Sequence, residues 1–259
     1  MTTIYAFANQ KGGVGKTTTA VNLAAFVADK GRQVLLVDLD PQGNATSSLG
    51  IDRFSLNGSI YDVLLESMSL ADILVSTRVK NLVLVPSTSA LAGAEIELAD
   101  TASREFLLSK LLRPLTNEFD VIFIDCPPSL GLLTVNALVA ADRVLIPVQC
   151  EYLALEGLAQ LLQTIALVRE RLNARLTLFG LVMTMFDGRA NLSQQVVEQV
   201  QTNFPDEVFR TIIPRNVRIA EAPSFGEPLV KFDRHSRGGQ AYEQLAEEFL
   251  QRMQLASNG

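Results

Sequence analysis

Nine residues near the start of the chain, Gln10-Lys11-Gly12-Gly13-Val14-Gly15-Lys16-Thr17-Thr18, constrain its fold more than any other stretch. They follow a short apolar run, Ile4–Ala8, and open a helical pattern over Thr17–Lys30. Strand, glycine-rich turn and helix in that order begin a βαβ unit, which commits the chain to a parallel sheet. The same residues suit a triphosphate. Several backbone N–H groups can converge on its oxygens only where glycines keep side chains away. A helix N-terminus and a lysine add positive charge. Gly12, Gly13 and Gly15 would form the loop, Lys16 would supply the cation, and Thr17 a hydroxyl for Mg²⁺. The common phosphate-loop pattern has glycine where Gln10 stands, and this version carries an extra lysine, Lys11. The plain alternative, a strand-to-helix turn with surface lysines, is disfavoured by the strand and helix on either side.

The remaining chain continues the alternation. Strands are expected at Gln33–Val37, Leu82–Val85, Val121–Ile124, Arg143–Pro147 and Thr177–Met183, with a further one around Val208–Ile212. Most are continuous apolar runs, as expected of strands covered on both faces. Helices are expected near Ala92–Leu115, Ser129–Ala140, Tyr152–Leu172, Asn191–Asn203 and Gly239–Gln254. Two segments, Pro41–Asn57 and Pro214–Gly238, fit neither period, and irregular segments of that length often carry function. The expected architecture is a doubly wound α/β fold, its mostly parallel sheet flanked by helices. No linker, repeat or charge block divides the chain, so residues 1–259 are expected to form a single domain.

Composition narrows the class. At 48% hydrophobic residues the chain can bury a core and is not expected to be disordered. Two cysteines cannot staple 259 residues, which fits a reducing compartment. The start, Met-Thr-Thr-Ile-Tyr-Ala, lacks the basic n-region of a signal peptide, and no uncharged apolar stretch reaches the ~18 residues that span a bilayer. A cytoplasmic protein is expected. Its net charge of −6 argues against a uniformly basic nucleic-acid coat. Charges are screened over about 8 Å, however, so local clusters matter more than the sum.

Two further elements carry chemistry. Val121-Ile122-Phe123-Ile124-Asp125-Cys126-Pro127-Pro128 ends an apolar strand in a carboxylate at the sheet edge where doubly wound folds bind ligands. Alone, Asp125 reads as a turn cap; beside a phosphate loop it suits a magnesium-bound water. In Val37-Asp38-Leu39-Asp40-Pro41-Gln42-Gly43-Asn44 the two aspartates share a face if the strand continues, and one could position a water at the γ-phosphate. Turn formation before Pro41 explains them equally well. Cys126 and Cys150 read as small buried hydrophobes, and His235, among Arg234, Ser236 and Arg237, as a solvated loop residue.

Together, Lys-Gly-Gly-Val-Gly-Lys-Thr-Thr, Asp-Leu-Asp-Pro-Gln-Gly-Asn and Ile-Asp-Cys-Pro-Pro-Ser resemble the ParA/Soj family of deviant-Walker ATPases that partition chromosomes and plasmids. The resemblance runs on through Pro147–Tyr152, Met185–Leu192, Ile213–Arg218 and Glu221–Ser224, closest to the small Soj-like chromosomal branch. It implies ATP and Mg²⁺ as ligands, with nucleotide contacts from Lys11, Gly12, Gly13, Val14, Gly15, Lys16, Thr17 and Thr18, and with Pro214, Arg215 and Asn216 against adenine. It makes Lys11, Lys16 and Asp40 catalytic: Lys11 reaching a partner subunit's ATP, Lys16 on the β- and γ-phosphates, Asp40 orienting water. Thr17, and Asp125 through water, would hold the metal, and Arg189 and Arg218 would contact DNA. The implied partners are a second copy in an ATP-dependent homodimer, non-specific DNA and a ParB-like centromere-binding protein, without membrane, in a nucleoid-associated location. The phosphate loop begins at residue 11 with no helix-turn-helix before it, which argues against the larger operator-reading subtype.

Three rivals share the phosphate loop. A MinD-type membrane ATPase would want a basic amphipathic end, whereas Ala246–Gln254 holds two glutamates and one arginine. A nitrogenase-reductase-like carrier would need thiolates free to hold a cluster. A related ATPase positioning another intracellular cargo is compatible with every residue above, because the partner selects the cargo.

Overall fold

The computed structural model describes residues 2–151 and 154–257. Among them, seven strands form one sheet: β1 (Thr3–Phe7), β2 (Val34–Asp38), β3 (Val75–Ser76), β4 (Leu82–Val85), β5 (Val121–Asp125), β6 (Arg143–Gln149) and β7 (Thr177–Thr184). Their order is β3-β4-β2-β5-β1-β6-β7, parallel throughout except for β3 against β4. The helices are α1 (Lys16–Asp29), α2 (Asn44–Ser48), α3 (Ile60–Leu64), α4 (Leu91–Glu97), α5 (Leu107–Leu112), α6 (Leu132–Ala140), α7 (Ala154–Arg171), α8 (Asn191–Asn203), α9 (Val217–Glu221), α10 (Leu229–Phe232) and α11 (Arg237–Ser257). The connection β1–α1–β2 leads to one side of the sheet and β5–α6–β6 to the other. That reversal opens a crevice at the C-terminal ends of β1, β2 and β5.

Side chains alternate across each strand and so feed two cores. Ile4, Ala6, Ile122 and Ile124 pack with α4 to α8, whereas Tyr5, Phe7, Val121 and Phe123 pack with α1 and α11. The second core is aromatic: Phe249 of α11 stands 4.9 Å from Tyr5, 5.3 Å from Phe123 and 5.3 Å from Phe179, centroid to centroid, in edge contacts.

The expected doubly wound sheet is present, and two local expectations are corrected. Val208–Ile212 is not a strand; only Val208 bridges to Leu181. The N–H groups of Arg210 and Thr211 donate instead to the Glu248 carboxylate on α11, at 2.8 and 2.9 Å. The helix expected over Ala92–Leu115 is broken between α4 and α5, at Asp100-Thr101-Ala102-Ser103, where Ser103 takes φ 56°. Asn136 of α6 stitches the break, accepting from Leu108 N and donating to Arg104 O. The short β3 went unread, two residues being too few to leave a pattern. The segments Pro41–Asn57 and Pro214–Gly238 contain the short helices α2, α9 and α10. Tyr152, where a helix was expected to start, lies outside the described residues.

Phe249→Ala is expected to lower the unfolding free energy by about 3–5 kcal/mol in a urea titration. Phe54→Ala, at a side chain 94% exposed, should stay within about 0.5 kcal/mol of the parent.

Candidate functional site

The glycine-rich loop is held open from both ends. Asn9, just past β1, donates to Pro147 O at 2.7 Å and accepts from Lys11 N at 3.0 Å, fixing the loop's entry against β6. Thr184, at the end of β7, donates to Val14 O at 2.8 Å. Between these anchors Gly13 and Gly15 take φ 75° and 82°, the left-handed region that residues with a Cβ rarely adopt. Gly15 caps α1, whose first turn has no acidic residue, so its positive end is uncompensated within the helix.

Lys11, Gly12, Gly13, Lys16 and Thr17 line a cavity of about 350 Å³ with Asp40 opposite them. Gln42, Asn44 and Ser48 complete that wall and were not anticipated from sequence, their side chains being ordinary for a polar loop. Lys16 is buried, its ammonium 4.0 Å from Asp125 Oδ1. Lys11 is half exposed and pairs with Glu151 at 3.1 Å, an interaction no local pattern reveals because the two are 140 residues apart.

Asp125 and Asp38 stand side by side where β5 and β2 end. Both carboxylates are wholly buried. Burial lifts Asp125 to about 6, against the opposing pull of Lys16 and the Thr17 hydroxyl. Burial and then the Asp125 charge lift Asp38 to about 7. Asp38 is satisfied, accepting from Asp40 N and from the N–H and hydroxyl of Thr46. Among the described residues neither oxygen of Asp125 has a hydrogen-bond partner. A buried carboxylate with two open oxygens beside a threonine hydroxyl is a donor set that fits a hard divalent cation. Among the described residues no three His, Cys, Asp or Glu side chains cluster to hold a metal alone, so phosphate oxygens and water would have to complete its shell. β2 stops at Asp38, so the two aspartates do not share a strand face: Asp40 lies in the following turn, accepting from Gln42 N at 2.9 Å.

Gly15, Thr18 and Pro223 also border a second cavity, of about 380 Å³. Pro214, Arg215 and Asn216, the residues that the resemblance puts against adenine, line it together with Met185, Ile219 and Tyr242. The Tyr242 hydroxyl lies 3.2 Å from Thr19 Oγ1, linking α11 to α1. Gly50, just after Ser48 of the first cavity, and Gly226, just after Pro223 of both, approach closely, both at positive φ. A Cβ on Gly50 would fall 2.8 Å from Gly226 O, and one on Gly226 2.6 Å from Gly50 Cα.

Neither Arg189 nor Arg218 lines either cavity. Arg189 is almost fully exposed and pairs with Asp187 at 3.2 Å. Arg218, the second residue of α9, reaches Glu221 at 3.0 Å and Asp233 at 3.2 Å. The backbone joins their surroundings, since Arg215 N donates to Phe186 O and Phe186 N to Ile213 O. Between Phe209 and Arg237 six basic side chains face three acidic ones. Cys126 and Cys150 are buried, and burial pushes both thiols up, Cys150 to about 12.

Raised carboxylates have a readable consequence. Unfolded, Asp38 and Asp125 give up their protons near pH 4; folded, they keep them to about 7 and 6. The folded state therefore holds more protons between those values, and stability falls as pH rises through that window. In the absence of nucleotide and Mg²⁺, the urea midpoint should drop between pH 5 and 7, with a slope of up to about 1.4 kcal/mol per pH unit for each proton. Asp125→Asn should make that slope shallower, because it removes one titration and the repulsion on Asp38.

Comparison with known proteins agrees with this geometry. The family described as an AAA domain matches residues 2–178. The sporulation initiation inhibitor protein Soj of Bacillus subtilis is 54% identical over 99% of both chains. The chromosome partitioning protein ParA of Myxococcus xanthus is 54% identical over 96% of this chain and 88% of its own. A crystal structure described as cobyrinic acid a,c-diamide synthase of Mycobacterium smegmatis, with bound ADP and magnesium, superposes with a TM-score of 0.87 at 41% identity, covering 98% of this chain and 96% of that one. With a deviant phosphate loop, the Asp40 turn and Asp125 converging on one crevice, and with likeness at this level along its whole length, the chain belongs to the Soj/ParA family of chromosome-partitioning ATPases.

Proposed function

We propose that the chain is an ATP-switched DNA carrier: two copies close over Mg·ATP, the closed pair binds DNA without sequence preference, and hydrolysis releases it. The observation that carries this reading is the position of Lys11. It lines the phosphate cavity yet is part exposed, its ammonium paired among the described residues with Glu151 alone, so it is free to reach a second subunit's nucleotide. Lys16 and the loop N–H groups hold the β- and γ-phosphates, Pro214–Asn216 flank the adenine, and Asp40 orients the attacking water. Thr17, and Asp125 through water, are the residues that would hold Mg²⁺, which when bound neutralises charge on the phosphates. Phosphoryl transfer to water asks for positioning and charge neutralisation, and these residues supply both.

Arg189 and Arg218 form the DNA contacts. Each is paired with carboxylates of its own chain, but exposed ion pairs contribute about 1 kcal/mol or less and yield to phosphates. One subunit offers a small basic area on an acidic chain, and two side by side offer a usable one. A ParB-like centromere-binding protein is the proposed trigger of hydrolysis, and the bacterial nucleoid the proposed location. Among the described residues no helix is long and apolar enough to cross a membrane. The exposed face of the last helix, with Glu247 and Gln251, does not favour a MinD-type anchor. The cysteines favour neither a cluster carrier nor a glutamine-dependent amide synthase, since both uses need an accessible thiolate.

The test is DNA binding and dimerisation measured together with ATP, with ADP and without nucleotide; only ATP should give both. Lys16→Ala should weaken ATP binding about 100-fold, as expected for loss of charged contacts. Lys11→Ala should bind ATP normally yet fail to dimerise. Equal loss of ATP affinity in the two variants would remove the cross-subunit role of Lys11.

DNA affinity should fall steeply with salt, since each phosphate contact releases counterions. Arg189→Glu and Arg218→Glu should each abolish binding while ATP-dependent dimerisation persists. Asp187→Asn, which releases Arg189, should tighten binding by up to about fivefold. Salt-insensitive binding, or full binding by both charge-reversed variants, would show the DNA face to lie elsewhere.

A further inference from the structure

Behind Asp40 lies a closed ring of hydrogen bonds that the proposed chemistry has not used. Asp40 N donates to Asp38 Oδ1 at 3.3 Å. Asp38 Oδ2 accepts from the Thr46 hydroxyl at 2.6 Å and from Thr46 N at 2.8 Å. Thr46 Oγ1 accepts in turn from Ser87 N at 3.0 Å. The Ser87 hydroxyl closes the ring by donating to Asp40 O at 2.8 Å. Asp38, Thr46 and Ser87 are completely buried, and Asp40 very nearly so.

With Asp38 ionised, the donor accounting leaves this ring one arrangement. A hydroxyl has a single proton to give. That of Thr46 goes to Asp38, so its lone pair is what meets Ser87 N; that of Ser87 goes to Asp40 O. The ring grips Asp40 by both its N–H and its carbonyl, from two directions: β2 below and the segment after β4 beside it. The Asp40 side chain is not part of the ring. It lines the phosphate cavity, with Oδ1 accepting from Gln42 N. The ring therefore sets where that carboxylate stands without touching whatever occupies the cavity.

We propose that Ser87, braced by Thr46 and Asp38, is a positioning residue for hydrolysis: it fixes the Asp40 backbone so that the carboxylate meets the attacking water in line. This rests on the reading of Asp40 as the water-orienting group. Ser87 lies 47 residues beyond Asp40 and is absent from the cavity lining, so it acts only through Asp40. A misplacement of about 1 Å at a reacting group costs about 100-fold in rate, which is the scale on which such a brace matters.

The experiment is a double-mutant cycle on the full chain with DNA present, reading single-turnover phosphate release, KM for ATP and ATP-dependent dimerisation. Ser87→Ala should lower kcat about 10–100-fold, leave KM and dimerisation within about twofold, and cost nothing further in an Asp40→Ala background. Thr46→Val should behave the same way and serves if Ser87→Ala does not fold. Equal losses with and without Asp40, KM rising in step with the loss of kcat, or unchanged kcat would each overturn the proposal while leaving Asp40 in its role. If Asp40→Ala alone hydrolyses at the parent rate, the reading of Asp40 falls and takes this inference with it.

Discussion

Two buried carboxylates, Asp38 and Asp125, stand side by side at the ends of neighbouring parallel strands, and one buried ammonium, Lys16, lies 4.0 Å from the second. Charges placed there are costly unless paired or hydrogen-bonded. The structure divides the cost unevenly. Asp38 is surrounded by donors and serves as architecture, holding the turn that follows β2. Among the described residues Asp125 has no hydrogen-bond donor on either oxygen, and Lys16, the first residue of α1, lies 4.0 Å from it. The left-handed glycines and the anchors at Asn9 and Thr184 set the loop from which Lys16 meets Asp125.

That arrangement also explains the division of the irregular segments. Residues following β2 carry Asp40, Gln42 and Asn44 to one wall of the phosphate cavity, and residues preceding α11 carry Pro214 to Asn216 to the neighbouring cavity. The paired approach of Gly50 and Gly226 makes the two segments one surface, although 176 residues separate these glycines. The arginine of α9 rides on the second segment, so the nucleotide crevice and the basic face share a backbone.

The parts legible in the sequence are those in which a local pattern and a chemical need coincide. Gly13 and Gly15 must be glycine to leave the loop open, and a continuous apolar run ending in Asp125 must deliver a carboxylate to the sheet edge. Where several chain segments meet, local pattern is silent. Tyr242 is placed at a cavity by a helix that sequence shows only as amphipathic, and Glu151 meets Lys11 across the β1–β6 neighbourhood. A single helix is expected near Ala92–Leu115 because a short polar break leaves little trace in the sequence when Asn136 satisfies it from another helix. Asp38 and Asp40 were left open between turn and catalyst; the geometry separates them, one serving the turn and the other lining the cavity.

The packing of α11 on α1 has a consequence in time. Phe26 and the buried alanines of α1 share a core with Tyr242, Leu245 and Phe249, and Tyr242 is also a wall of the second cavity. About two hundred residues separate those helices, which at about 5–20 residues per second is roughly 10–40 seconds of translation. Throughout that interval the phosphate loop has been made, while one side of its helix lacks its cover and the neighbouring cavity lacks a wall. A ribosome carrying this chain therefore holds a phosphate loop without a finished pocket, and the last helix to emerge completes it.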